Sequence, residues 1–428
     1  MAAGAKAAAR AGAGVAGAGG RSRTVFSGLA VTAPNGSTTE RFWAATLAGV
    51  SGIRPLDRFD DSGYPVRLAG QVRDVAGPEQ IESRLAVQTD RWTQLGLVAA
   101  ERALADAELD PAELDPYDMS VITATSSGGN EFGQREIQKL WSKGPRFVGP
   151  YQSIAWFYAA TTGQISIRHG MKGACGVLVG EQAGGLDALG QARRALVDDA
   201  SVVISGGTDA PLGPYALACH VSAGQLSRGT DPASAYRPFD AEAAGYVPGE
   251  GGAIFVVERE DVWRARGAGH GYGELAGYAA TFDPPPGSRR EPGLRRAIRL
   301  AMADAGVSPD AIDVVFADGL GLPAADLAEA EAISAVFGPY GVPVTVPKCL
   351  VGRLQSGGAP LDVAMALLAI RDSVLPGTPA LSVLAPGCDL DVVRETRPAP
   401  VRTALVLARG YEGFNAAVVV RALPGDRP

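Results

Sequence analysis

The sequence predicts an α/β protein made of two similar halves packed together. Three observations carry that prediction. Apolar, strand-like runs alternate with amphipathic, helix-like stretches along the chain, which implies sheets covered by helices. The stretch "ALADAELDPAELD" (Ala103–Asp115) recurs as "AMADAGVSPDAID" (Ala301–Asp313) without a gap. A helix opening on a Gly-Gly pair occurs in each half, "GGLDALGQARRAL" in the first and "GGAPLDVAMALLAI" in the second.

Taken in order, the chain opens with "MAAGAKAAARAGAGVAGAGGRSR", an Ala/Gly-rich stretch with scattered basic residues. It lacks the compact leucine-rich segment of a signal peptide, and it cannot bury enough apolar area to fold, so residues 1–23 read as a disordered tail. Each copy of the repeat ends a helix, turns at a proline and feeds an apolar strand, "MSVITATSS" or "VVFADGLG". Between the copies lie two apolar strands, "ASVVISGG" and "GGAIFVVERE"; after the second copy, "TALVLARGYEGFNAAVVVRAL" reads as a matching pair. "GYEGFN" (Gly410–Asn415) reads as the turn between them. "VPGEGG" (Val247–Gly252) reads as a structural turn, because a phosphate loop there would need a following helix and a strand follows instead. The expected division is a first half over 24–270 and a second over 271–428.

With 428 residues, 46% of them apolar and 20% charged, the chain is long enough for two halves around a large core. A net charge of −7 argues against nucleic-acid binding. No apolar run reaches the roughly 18–20 residues that span a bilayer, so no membrane association is expected. The cysteines (Cys175, Cys219, Cys349, Cys388) are widely spaced with no CxxC pair, so neither a zinc site nor a disulfide scaffold is expected, and the cysteines are read as reduced in a cytoplasmic protein. Cys175 and Cys349 read as small buried hydrophobes. The histidines are His169, His220 and His270, each read as structural or at the surface, the last two near loops.

The stretch "VLVGEQAGGLDALGQARRAL" (Val177–Leu196) reads as a buried strand, a tight turn and a helix opening on small residues. Enzymes use that shape to hold a nucleophile at a helix N-terminus. The residue read at the apex is Gln182, which has no ionisable group and cannot form an acyl-enzyme.

The duplicated half with a strand–elbow–helix resembles the thiolase-like fold of the β-ketoacyl synthases, in a layered αβαβα arrangement. "GVSGIRPLDRFD" and "RPFDAEAAGYVPGEGGAIFVVE" are similar to the synthase pattern. More specific are "EFGQREIQKLWSKGP", "YQSIAWFYAATTGQISIRHGMKG", "GEQAGGLDALGQARR" and "GYAATFDPPPGS", which together resemble the chain length factor, or ketosynthase beta subunit, of bacterial type II aromatic polyketide synthases. The resemblance runs from about Thr24 to Leu423.

A condensing synthase uses a cysteine thiolate to take the growing chain and two imidazoles to assist decarboxylation of a malonyl group. On the family pattern the cysteine falls on Gln182 and the two histidines on Asp318 and Arg353, while the nearby lysine is kept as Lys348. No catalytic residue is therefore expected, and whether the subunit counts as an enzyme is left open. Asp318 and Arg353 are expected to pair and fill the pocket. Tyr411 and Phe414 are expected, with Lys348, to line the former acyl site. Gln182 reads as a plug. The alternative is a malonyl-carrier-protein decarboxylase supplying the acetyl starter through Gln182, as related glutamine-bearing loading domains are linked to decarboxylation; those domains keep the two histidines.

The resemblance also implies a heterodimer with a ketosynthase alpha subunit, malonyl units brought by an acyl carrier protein, a poly-β-keto chain growing in a tunnel at the interface, and no metal or organic cofactor. Trp156, Phe157 and Tyr158 are expected in that interface. In the family, bulky side chains on the helix "GGNEFGQREIQKLW" stop chain growth. The matching positions are Asn130, Gly133 and Ile137, spaced to share one helix face, with Glu131, Gln134 and Glu136 expected away from it. A glycine mid-helix costs about 1 kcal/mol relative to alanine, and room for the polyketide is the expected reason for Gly133. A small polar residue, a bare backbone and an aliphatic side chain imply a long product, a decaketide or longer.

Overall fold

The computed structural model describes residues 22–73, 81–126 and 128–425. Most of the expected tail, residues 1–21, lies outside the described residues.

Each half repeats one pattern. The first runs β1 (Thr24–Thr32), α1 (Arg91–Asp106), β2 (Met119–Ala124), α2 (Asn130–Lys143), α3 (Ala160–His169), β3 (Cys175–Leu178), α4 (Glu181–Asp198), β4 (Val202–Asp209), α5 (Pro214–Ser222) and β5 (Gly251–Arg259). The second runs β6 (Gly273–Phe282), α6 (Gly293–Ala305), β7 (Val314–Phe316), α7 (Pro323–Phe337), β8 (Pro343–Thr345), α8 (Gly358–Asp372), β9 (Thr403–Arg409) and β10 (Phe414–Arg421). The strand order in the first half is β3-β2-β4-β5-β1 and in the second β8-β7-β9-β10-β6. In both halves the first three strands are parallel and the last two antiparallel. The ladder is continuous across the molecule through the short β1–β6 contact, Val25 opposite Glu274 and Phe26 opposite Gly273.

Sequence explains the strand types. β1, β4 and β9 are built from apolar and small residues and are buried along almost their whole length, as strands covered on both faces must be. Helices α1 and α6 are amphipathic and cover the outer faces of the two sheets, α1 through Leu97, Ala100 and Leu104, α6 through Leu294, Ile298 and Met302. Asp90 caps α1, its carboxylate accepting from the Trp92 N–H.

Helices α4 and α8 form the middle layer, giving the αβαβα arrangement of the thiolase-like fold. Every residue of α8 from Gly358 to Ala369 is buried, which is why that span is apolar on every side except at Asp362, which pairs with Lys348. The Gly-Gly opening of α4 has a packing reason: a Cβ on Gly185 would lie 2.4 Å from Cδ of Pro360 and 2.6 Å from the Ser356 carbonyl oxygen. Among the described residues no helix is long and apolar enough to cross a membrane.

Candidate functional site

The N-terminus of α4 opens at the centre of the molecule. Glu181 sits at φ +50°, a left-handed conformation that is strained for a non-glycine residue. This corrects the sequence reading by one position: the sharp turn falls on Glu181, and Gln182 already belongs to the helix. Gln182 is fully buried, and its Nε2 donates to Oδ1 of Asp318 at 2.7 Å. Its Oε1 faces Gly358 at the start of α8, where any Cβ would come within 2.6 Å.

Asp318 follows β7 at a turn that Gly319 completes with φ +54°. Its Oδ2 takes Nη1 of Arg353 at 3.1 Å, and its Oδ1 also accepts the Arg409 N–H at 3.1 Å. Burial opposes the charge of Asp318, but Arg353, then Lys348, hold its carboxyl below the usual range. Arg353 is 2% exposed and spends its other donors on Glu181 (Nε to Oε1, 2.9 Å) and the Arg409 carbonyl (Nη2, 2.7 Å). Its guanidinium lies over the Tyr246 ring, 5.7 Å from the centroid. Its backbone is fixed by the "VPGEGG" stretch: the Arg353 N–H donates to the Val247 carbonyl at 2.8 Å, and its own carbonyl accepts from Gly249 at 3.0 Å.

Glu329 on α7 supports the turn from behind, accepting the N–H groups of Asp318 (2.7 Å) and Gly319 (2.9 Å). Burial, then the Asp318 charge, push its carboxyl up to about 7. Asp209 at the end of β4 ties the halves together: it accepts from Thr125 Oγ1 at 2.7 Å, from the Ser126 N–H and, across the halves, from the Ser356 N–H at 2.9 Å. Burial raises its carboxyl to about 7.

Lys348 is buried in an ion pair with Asp362 of α8, near enough to Asp318 to help hold that carboxyl down. Tyr411 and Phe414 are about half exposed at the rim, Phe414 edge-on to Phe282 at 5.1 Å between centroids. Their turn abuts the start of α4, since a Cβ on Gly410 would lie 2.7 Å from the Gly180 carbonyl oxygen. His220 lies in the last turn of α5, close to the loop that follows, with Nδ1 3.3 Å from the Tyr246 hydroxyl. Burial, then Arg353, push its imidazole down to about 4, so it is neutral at pH 7. Cys175 is exposed at the start of β3, an edge strand, and is not the buried hydrophobe expected; Cys349 is buried, and burial lifts its thiol to about 12. Among the described residues no cluster of three or more His, Cys, Asp and Glu could hold a metal ion.

The cluster is thus an amide, a carboxylate and a guanidinium locked together, with no thiol or imidazole bonded to Gln182. It offers no nucleophile and no free proton acceptor. Sequence reasoning gave no role to Glu181, Tyr246 or Arg409, although each lies in a stretch quoted above, and it did not single out Glu329 at all.

Residues 22–262 match the N-terminal domain of the β-ketoacyl synthases, and residues 272–382 match their C-terminal domain. The chain belongs to the β-ketoacyl synthase family. Within it, the chain falls among the ketosynthase beta subunits, or chain length factors: it is 56% identical over 399 residues to the tetracenomycin polyketide synthase ketoacyl synthase beta subunit of Streptomyces glaucescens, covering 93% of this chain and 98% of that one. Two solved structures agree in fold across 94% of this chain and 100% of theirs, both at 27% identity: the ishigamide ketosynthase/chain length factor (TM-score 0.86), and a type II polyketide synthase acyl-carrier protein in complex with its ketosynthase bound to the hexaketide (TM-score 0.84).

In this β-ketoacyl synthase family member, α2 is held by its polar residues. Arg58 bridges Glu131 (2.6 Å) and the buried Glu250 (2.7 Å), which also takes Arg91 at the start of α1. Gln134 Oε1 accepts the Tyr215 N–H at 2.9 Å. Glu136 is buried, because its carboxylate accepts the Gly149 N–H and pairs with Lys139, and Ile137 is 51% exposed. One expectation for this helix fails: the space above Gly133 is not open, since a Cβ there would lie 2.8 Å from Cδ1 of Trp156. Asn130 is the first residue of the helix and half-buried. Trp156, Phe157 and Tyr158 are 48%, 44% and 43% exposed, so they are not part of this chain's own core.

Proposed function

We propose that the chain is the non-condensing beta subunit of a type II polyketide ketosynthase heterodimer, which shapes the tunnel that sets poly-β-ketone chain length. The buried Gln182–Asp318–Arg353 network carries the reading: the family scaffold is kept, and the site where a synthase would place its thiol and imidazoles is filled. Gln182 takes the place of the cysteine, and Asp318 and Arg353 take the places of the two histidines. Condensation then belongs to the cysteine of the alpha subunit, fed with malonyl units by an acyl carrier protein. The half-exposed Trp156–Tyr158 segment and the exposed Ile137 side chain support a partner seated over α2. The halves divide near residue 270, in keeping with the break between the two domain matches. The small Asn130 and aliphatic Ile137 support a long product, a decaketide or longer. The subunit works in the cytoplasm and needs no metal or organic cofactor of its own.

Co-expression with the cognate alpha subunit tests this. The two chains should elute together on gel filtration and, with carrier protein and malonyl groups, give a single main polyketide mass. Ile137→Phe should shorten that product. Separate elution of the two chains, or an assembled and active Ile137→Phe complex with an unchanged product, refutes the corresponding part.

A further inference from the structure

The opening of α2 is packed against a second segment of the same chain. Gly133 is buried although it has no side chain, because an indole from another segment covers it: a Cβ at that position would lie 2.8 Å from Cδ1 of Trp156 and 3.6 Å from Cγ and Nε1. Two more glycines at the start of α2 admit the same segment. A Cβ on Gly129 would come within 2.0 Å of the Ala155 carbonyl oxygen, and one on Gly128 within 2.7 Å of the Trp156 carbonyl oxygen. That carbonyl accepts the Gly129 N–H at 3.1 Å, and the Trp156 N–H donates to Gln152 at 3.3 Å. The backbone of Trp156 is therefore pinned to the opening of α2, and its indole edge covers Gly133 while the residue stays 48% exposed.

We propose that Trp156 is a specificity-determining residue, its indole supplying above Gly133 the bulk that a side chain on α2 would otherwise supply. This rests on the reading of α2 as the tunnel wall. The argument is one of volume. A glycine mid-helix is unfavourable unless something needs the space, and here the occupant is an aromatic side chain of the same chain rather than a vacancy. An indole held at its backbone and half exposed presents a large, flat apolar surface of the kind that bounds an apolar cavity. The wall is then made jointly by Ile137 on α2 and Trp156 on the neighbouring segment.

The test uses the full heterodimer with carrier protein and malonyl groups, read by product mass and by gel filtration. Trp156→Ala should lengthen the product by at least one ketide unit, and Trp156→Phe should do so less. Moving the bulk back onto the helix, Trp156→Ala with Gly133→Phe, should return the product toward the parental length. A parental mass from an assembled Trp156→Ala or Trp156→Phe complex overturns the proposal. So does a failure of every Trp156 variant to assemble, which would make the indole an interface anchor instead. Ile137→Phe separates the two readings: if it shortens the product while Trp156→Ala changes nothing, only the role of Trp156 falls; if neither changes it, the tunnel-wall reading of α2 falls as well.

Discussion

Gln182 gives its amide N–H to Asp318 at 2.7 Å, and the same carboxylate meets Arg353 at 3.1 Å. An amide from the first half, a carboxylate from the second and a guanidinium beside the start of α8 thereby share one buried network. Each donor aimed at Asp318 would be stranded if that side chain were lost.

Asp318→Ala should cost about 3–5 kcal/mol, the range for removing one partner of a buried ion pair. The loss should appear as a lower urea midpoint with an unchanged slope. Replacing both charges, Asp318→Leu with Arg353→Met, should recover much of it, because no buried charge is then left unpaired. A double variant as unstable as the single one would show that the pair is not the cause.

Gln182→Cys should not produce a condensing enzyme. The new thiol would face Asp318, a carboxylate that Arg353 keeps charged against the cost of burial, and the imidazole of His220 is committed to Tyr246. The same geometry disfavours decarboxylation by the parental protein, since the Gln182 N–H is already spent on Asp318 and a malonyl carboxylate would meet like charge. Purified subunit alone, given malonyl-carrier protein, should form neither extended chains nor acetyl-carrier protein above the level of Gln182→Ala.

Gly185→Ala should destabilise the chain by about 1–3 kcal/mol, as overpacking of a well-filled core does. The added methyl meets the Pro360 ring and the Ser356 carbonyl oxygen, and the carbonyl cannot rotate away. Thermal unfolding of the variant against the parent measures this; an unchanged Tm would mean that α4 and α8 can slide apart freely.

Stability should fall as pH rises from about 6.5 to 8. Asp209, Glu329 and Asp362 are each pushed up to about 7, first by burial. A carboxyl raised in the folded state favours folding in its protonated form; that contribution is complete below its ordinary value near 4 and is lost as pH rises through about 7. His220, pushed down to about 4, contributes in the opposite sense, but only below its ordinary value of 6.5. Above that value the carboxyls act unopposed. Urea midpoints across this range measure the trend, and a rising midpoint would contradict it.

The fold was legible because its signals are local and repeated. The Gly-Gly openings of α4 and α8, the helix–proline–strand copies and the terminal hairpin all carry their own periodicity. The convergence of Gln182, Asp318 and Arg353 was legible only through family resemblance, since nothing in their spacing brings them together. Glu329 shows the limit: it lies in none of the stretches singled out in the sequence, yet it is buried because two backbone N–H groups from a turn after β7 need an acceptor. Gly133 shows it again. A missing side chain reads as empty space, and only the fold reveals that Trp156 fills it. The burial of Glu136 was equally out of reach of the sequence, its partner at Gly149 lying beyond the helix.

The pairing of β1 with β5 also constrains how the chain is made. Thr24 lies opposite Arg259, so β1 leaves the ribosome long before the strand it pairs with. At a synthesis rate of about 5–20 residues per second, that strand waits on the order of ten seconds or more for its neighbour. During that interval "TVFSGLAVT" is an unpaired, largely apolar edge, the kind of segment that nascent chains aggregate through and chaperones hold. Expression yield of this subunit should therefore depend on what shields its first strand during translation, more than on the stability of the finished fold.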